Sequence, residues 1–307
     1  MHTSSAARRA STSSPIDPDA SVNVWVEAAR PRTLVAGIVP VLVGTAASDR
    51  WAALRFIAAL TVGISVQVGV NYANDLFDAR RGVDRDDRVG PRRATAAGLI
   101  TPSRMGIGAA AAFGIATIAG LYLAAVAGPW LIAVGSLCFL AALGYSGGPR
   151  PYASAGLGEI FVFVFFGLVG TIGSAYVQIE GVPAAAMVAG VPVGCLATAI
   201  LVVNNLRDIE SDRRSGKMTL AVRLGRARTR ALYGLLLLLA AAAVVPLMVT
   251  VGSPWPGLAL VAAPLGARAA RSVVTRTDGP GLIGALVATA RLQLLFGLGL
   301  ALGLWIS

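Results

Sequence analysis

The sequence predicts an all-α polytopic membrane protein with about nine transmembrane helices. Three observations predict it. Hydrophobic residues make up 56% of the 307 residues and charged residues only 13%, with a mean hydropathy of +0.72, too apolar for a soluble domain of this length. The apolar residues gather into nine runs of roughly 16 to 25, the length that crosses a bilayer as a helix. The cations fall between those runs and are dense on one side only, as membrane topology demands. A net charge of +11 would suggest a nucleic-acid partner in a soluble protein; here it reads as topology, and no nucleic acid is expected.

The runs lie at about 34–49, 52–76, 103–126, 129–145, 157–178, 184–206, 229–250, 255–274 and 281–305. The first 21 residues are rich in Ser, Ala, Thr and Arg and lack the apolar core of a signal peptide. They read as a disordered cytoplasmic tail, leaving 22–307 as a single transmembrane domain. With the N-terminus inside, 23 cations fall on the inner side and only Arg50 and Arg55 outside, which fits an odd number of spans. Glycines such as Gly106, Gly114, Gly297 and Gly303 read as positions where helices pack closely. Arg291 sits roughly 15 Å into the last span at 1.5 Å per residue, and is expected to face the bundle interior.

Two polar patches end apolar runs on the same side and resemble each other. The first is Asn71-Tyr-Ala-Asn74-Asp75-Leu-Phe-Asp78, followed by Asp84, Asp86 and Asp87. The second is Asn204-Asn205-Leu-Arg207-Asp208-Ile-Glu210-Ser-Asp212. Each is followed by an arginine-rich segment and another span, an internal repeat with Asn-x-x-x-Asp at matching places. Asn71, Asn74, Asp75 and Asp78 share one helical stripe, and Asn204, Asp208 and Asp212 share another. Two such helices would present their polar faces to one central cavity. Carboxylates in a membrane protein are costly and usually functional. Mg²⁺ takes oxygen ligands, one or two carboxylates plus substrate phosphates, so paired stripes would grip a diphosphate from two sides. Asp75, Asp78, Asp84, Asp208 and Asp212 are the candidate metal ligands, and Asp75, Asp78, Asp208 and Asp212 the candidate catalytic residues. Asp86 and Asp87 read as charges balancing nearby arginines.

Lys217 is the single lysine beside 25 arginines and lies five residues after Asp212, where a point charge would bind phosphate. Arg93, Arg150 and Arg223 are further anion-binding candidates, each with a plain topological alternative. Asn71, Asn74 and Asn204 join them as binding candidates. Tyr72, Tyr145 and Tyr152 suit either stacking on a substrate or interfacial anchoring. The run Ile160–Phe166 reads as packing or lipid-facing, with a tunnel for an apolar tail as the other reading. The only histidine is His2, so histidine acid–base chemistry is excluded. Cys138 and Cys195 lie in apolar spans without metal-site spacing, which argues against zinc or a disulfide.

These residues resemble the UbiA superfamily of intramembrane prenyltransferases from Ala29 to the end of the ninth span. The likeness is carried by Ala29-Arg-Pro-Arg-Thr33, Val70-Asn-Tyr-Ala-Asn-Asp75, Asp87-Arg-Val-Gly-Pro91, Tyr145-Ser-Gly-Gly-Pro149, Gly156-Leu-Gly-Glu159, Asn204-Asn-Leu-Arg-Asp208 and Thr219-Leu-Ala-Val-Arg-Leu-Gly225. The superfamily's first motif usually runs Asn-Asp-x-x-Asp-x-x-x-Asp; here Gly82 takes the last position and the acid moves to Asp84, as in the naphthoate-prenylating branch. The resemblance implies nine helices around a cavity, two Asp-rich loops at about 71–93 and 204–225, and Mg²⁺ as cofactor. It implies polyprenyl diphosphate and 1,4-dihydroxy-2-naphthoate as substrates, loss of CO₂ and diphosphate, and a place in the plasma membrane of a prokaryote with the polar loops cytoplasmic. A different acceptor within the superfamily is the nearest alternative. A transporter is a more distant one, because both acidic clusters lie near one membrane face rather than at the midplane of inverted repeats.

Overall fold

The computed structural model describes residues 18–82, 93–149 and 151–307. Residues 1–17 of the expected 1–21 tail, the candidate ligand Asp84, its neighbours Asp86 and Asp87, and the candidate anion-binding Arg150 lie outside the described residues.

A short helix, α1 (Pro18–Ala29), leads through a 3-10 turn at Pro31–Thr33 into the bundle. The bundle helices are α2 (Val35–Ala46), α3 (Ala53–Arg80), α4 (Pro102–Ala127), α5 (Leu131–Ser146) and α6 (Gly158–Ile179), followed by α7 (Ala184–Arg214), α8 (Leu220–Val251), α9 (Trp255–Thr275) and α10 (Gly279–Trp305). Among the described residues, seven of these are long and apolar enough to cross a membrane, while α2 and α5 are shorter apolar helices. Each of the nine overlaps one of the nine predicted runs, with α8 beginning nine residues before its run at 229–250. In lipid every backbone group must be satisfied within its own segment, so helices are the available solution.

Helix starts follow local chemistry. Thr101 caps α4 by accepting from the Arg104 amide, with Pro102 in the first turn. Asp278 does the same for α10 through Gly281 N at 2.9 Å. Two polar ends run further than the apolar runs: α3 continues to Arg80 and α7 to Arg214, so both Asn-x-x-x-Asp stripes sit on intact helix rather than in loops.

α7 is the central post. Of its most apolar stretch 78% is buried, against 22–50% in the other long helices, because α2, α6, α8 and α10 all pack around it. The internal repeat is visible in the packing: α3 pairs closely with α4, and α7 with α8. Close crossings are made by glycines. Gly37 and Gly63 face each other where α2 meets α3, and a Cβ on either would overlap the other's carbonyl. Gly167 lies against the Gly190 and Gly194 backbone of α7 in the same way. It belongs to a π-helical stretch of α6, Phe163–Val169, a distortion that commonly accompanies functional sites.

One expectation fails here. Arg291 does not face the interior: it is exposed on the outer surface of α10. The buried stripe of that helix runs through Leu282, Leu286, Thr289, Gln293, Phe296 and Leu300, and Arg291 falls off it.

Candidate active site

A cavity of about 400 Å³ opens inside the bundle. Its polar end is formed by Arg30, Asn71, Asn74 and Asn204, and the rest is lined mainly by apolar residues of α2 to α7. On α3 the lining runs from Asn74 to Ala59, fifteen residues or about 22 Å of helix.

The two predicted stripes are brought together at the polar end. Asp78 is 3% exposed and its Oδ2 accepts from Arg93 Nη2 at 3.2 Å and Lys217 Nζ at 3.4 Å. Lys217 follows directly on α7, so this contact joins the two halves of the repeat. Its position is fixed from below: the Lys217 amide donates to the Asp212 carbonyl at 2.8 Å, and Gly216 supplies the left-handed turn (φ 75°) that ends α7. Asp212 is buried and its Oδ2 accepts from Thr219 Oγ1 at 3.4 Å. Thr219 in turn caps α8. Asp208 is held by its neighbour Arg207, with Nε and Nη2 reaching its two oxygens at 2.7 and 2.6 Å. Arg207 also donates to Asn204 Oδ1 at 2.9 Å.

Two predicted residues have local partners. Asp75, 2% exposed, accepts the backbone amides of Thr95 at 2.9 Å and Ala94 at 3.2 Å. It thereby anchors the segment that carries Arg93 over Asp78. Asn71 Nδ2 donates to the Ala29 carbonyl at 2.7 Å and Thr33 Oγ1 at 3.1 Å, tying the Arg30 turn to α3. Arg223 is exposed, with its Nε on the Met218 carbonyl beside Gly156.

Asn74 Oδ1 is buried without a hydrogen-bond partner, an acceptor that an ion, a water or a ligand could satisfy. The donors here are all oxygens, spread over two helices. Among the described residues no three His, Cys, Asp or Glu side chains converge into a preformed cage. Such a set fits Mg²⁺ that keeps waters and arrives with a substrate's phosphates.

Residues 37–282 match the UbiA prenyltransferase family. The chain belongs to that family. Its relatives include 1,4-dihydroxy-2-naphthoate octaprenyltransferase of Mycobacterium tuberculosis, 46% identical over 92% of this chain and 97% of the relative. The protein of that name from Escherichia coli is 38% identical over 92% and 95%. Among solved structures, a UbiA homolog from Archaeoglobus fulgidus bound to GPP and Mg²⁺ superposes with a TM-score of 0.62, covering 90% of this chain and 99% of that chain at 14% identity. The apo structure of a UbiA homolog from Aeropyrum pernix gives 0.63 over 89% and 97% at 16% identity. These two establish the UbiA fold.

Sequence reasoning missed two members of this UbiA site, Arg30 and Arg207, and singled out Glu159 at the start of the fifth span. Arg30 was counted only as a topological charge. It lines the cavity from a left-handed backbone (φ 52°), and the signal was Pro31, which bars the ordinary helical conformation at the residue before it. Arg207 was likewise counted as topology, although its place beside Asp208 was visible. Glu159 is 6% exposed, with Oε1 accepting from Asn205 Nδ2 at 2.9 Å and Oε2 without a partner.

The aromatic residues divide. Tyr72 faces α1, donating to the Trp25 carbonyl at 3.2 Å. Tyr145 and Tyr152 line the cavity with Phe161 and Phe165. Tyr152 stacks on Phe161 at 3.9 Å between centroids and its hydroxyl donates to the Ala141 carbonyl at 2.7 Å. Burial pushes the Tyr152 phenol up, so it stays a neutral donor at physiological pH.

Lys217→Ala is expected to lower kcat/KM for a diphosphate donor about tenfold, with Lys217→Arg retaining more of it, because the charge and not the shape is what a phosphate needs. Steady-state kinetics at varied donor concentration check this.

Proposed function

We propose that the chain transfers a polyprenyl group from polyprenyl diphosphate to 1,4-dihydroxy-2-naphthoate, with loss of CO₂ and diphosphate, giving demethylmenaquinone in its reduced, quinol form. The reading is carried by one arrangement: two oxygen-rich helix ends, joined through Asp78 and Lys217, at the mouth of a long apolar cavity. It is supported by relatives named for that reaction over most of their length. The bacterial relatives support a prokaryotic plasma membrane, and the excess of cations at the polar end supports placing that end in the cytoplasm.

Asn74 and Asp78 on α3, and Asp208 and Asp212 on α7, are the residues that would hold Mg²⁺. The bound ion supplies charge neutralisation of the diphosphate. Asp75 serves them by pinning the segment that carries Arg93. Lys217, Arg93 and Arg30 add positive charge where the leaving group gains negative charge, the form of stabilisation that contributes most to many enzymes. As the C1–O bond breaks, the bonding pair leaves with diphosphate and C1 becomes an allylic cation. The electron-rich ring forms the new C–C bond to C1, then releases CO₂ and restores its aromaticity. Tyr145, Tyr152 and Phe161 line the adjoining wall, presenting π faces to the cation and excluding water that would hydrolyse it.

The test is an acceptor panel in membranes carrying the protein. With one labelled polyprenyl diphosphate and Mg²⁺, label is expected in the 1,4-dihydroxy-2-naphthoate product and not with 4-hydroxybenzoate or homogentisate. Label on one of the other acceptors instead would refute the proposed substrate. EDTA is expected to abolish transfer and added Mg²⁺ to restore it.

A further inference from the structure

Arg291 is a cation that faces lipid. The contacts at its two ends show that α10 crosses the whole bundle. At its start the Arg276 carbonyl accepts from Arg230 Nη2 at 2.8 Å, on the side of the acidic stripes. At its end Trp305 meets Trp51, which precedes α3, with ring centroids 6.1 Å apart. Arg291 lies twelve residues after Gly279 and fourteen before Trp305, about 18 and 21 Å from the two ends. It therefore stands near the middle of a hydrocarbon layer about 30 Å thick. An extended arginine side chain reaches about 7 Å, so the guanidinium stays within the hydrocarbon whichever way it turns. Among the described residues Arg291 has no hydrogen-bond or ion-pair partner. A charge at that depth is costly, and intramembrane cations are normally paired.

The face around it has the pattern of a packing surface. The exposed residues of α10 from 284 to 305 are Gly284, Arg291, Leu295, Leu298, Leu302 and Trp305. They recur every three, four or seven residues, the spacing of a seam along which another helix packs. A Cβ at Gly284 would meet nothing within 4 Å, so a neighbouring backbone has room to approach there. Lipid tails cover an apolar stripe well, but they do not neutralise a cation at its centre. The occupant must bring a negative charge at mid-span. A second copy of this chain does not offer one: every Asp and Glu among the described residues lies in a loop or within six residues of a helix end. A two-fold pairing through α10 would set Arg291 against its own copy. The charge complement is a helix of another membrane protein with one Asp or Glu near its middle. Arginine and a carboxylate form two parallel hydrogen bonds, and each then neutralises the other inside the hydrocarbon.

We propose that the outer face of α10 is a docking surface for a membrane helix of another protein, with Arg291 pairing to a carboxylate near the middle of that helix. The proposal does not depend on the prenyl-transfer reading. The test places the full chain in phosphatidylcholine vesicles at mildly alkaline pH with a synthetic leucine–alanine helix of about 20 residues carrying one central Glu. Energy transfer between fluorescent labels on the two reads their association. The Glu helix is expected to bind about tenfold or more tighter than the same helix with Gln in its place. Arg291→Leu should remove that difference and Arg291→Lys should keep part of it. Arg291→Leu combined with Leu235→Arg moves the cation to an exposed position on α8 and should not restore the difference. Arg291→Leu with Leu238→Arg, also exposed, serves should that variant fail to fold. Restoration by the moved arginine would overturn the surface, because any lipid-facing cation would then suffice. Equal binding of the Glu and Gln helices would overturn it too. With equal binding, Arg291-dependent self-association of two labelled copies would assign the face to a second copy of the chain. Arg291-dependent enrichment of added phosphatidylglycerol would instead assign it to an anionic lipid.

Discussion

Asp78→Ala is expected to cut kcat/KM by about 10³-fold, a loss of roughly 4 kcal/mol of transition-state stabilisation. The size follows from position. At Asp78 the halves of the repeat meet, with Arg93 from the first and Lys217 from the second on the same oxygen. Its removal takes away a candidate metal ligand and leaves two cations without the group that spaces them. Asp78→Asn keeps the shape and the hydrogen-bond acceptor but not the charge. It is expected to be almost as inactive, and Asp78→Glu to recover part of the rate with a raised Mg²⁺ requirement. Kinetics over a Mg²⁺ series check this. Activity of Asp78→Asn near wild type would show that the carboxylate's charge is not used.

Asp208→Ala is expected to be damaging in a second way. The Arg207–Asp208 pair has both side chains 5% exposed. Removing one member of a buried pair leaves an uncompensated charge and costs about 3–5 kcal/mol, whereas replacing both by apolar groups of similar volume is often close to neutral. The single variant should therefore lose stability as well as activity, and its unfolding midpoint in detergent should fall well below that of Asp78→Ala. The double variant Arg207→Met with Asp208→Leu should recover much of the midpoint and none of the activity. An unchanged midpoint in Asp208→Ala would mean that Arg207 finds another partner at no cost.

Much of this was legible in the chain. Apolar runs of membrane-crossing length gave all nine bundle helices, because a bilayer leaves the backbone few alternatives. The paired Asn-x-x-x-Asp stripes were legible because four-residue spacing on a helix is one face. What escaped notice depends on tertiary position. Arg30 and Arg207 look like any cytoplasmic arginine until the fold turns them inward. Arg291 looked buried because its depth in the span was readable and its rotation about α10 was not. Asp75 and Asp78 are equivalent in sequence, yet one holds backbone amides and the other faces Arg93 and Lys217.

The central claim is that both stripes act together in one Mg²⁺-dependent prenyl transfer to a naphthoate ring. The most direct measurement is mass-spectrometric detection of prenylated naphthoquinone in membranes given 1,4-dihydroxy-2-naphthoate, a polyprenyl diphosphate and Mg²⁺, for the native chain, Asp78→Ala and Asp208→Ala. The account predicts product with the native chain, none with EDTA, and none above background with either variant. Product that persists in one of the variants at native level would contradict a site shared between α3 and α7.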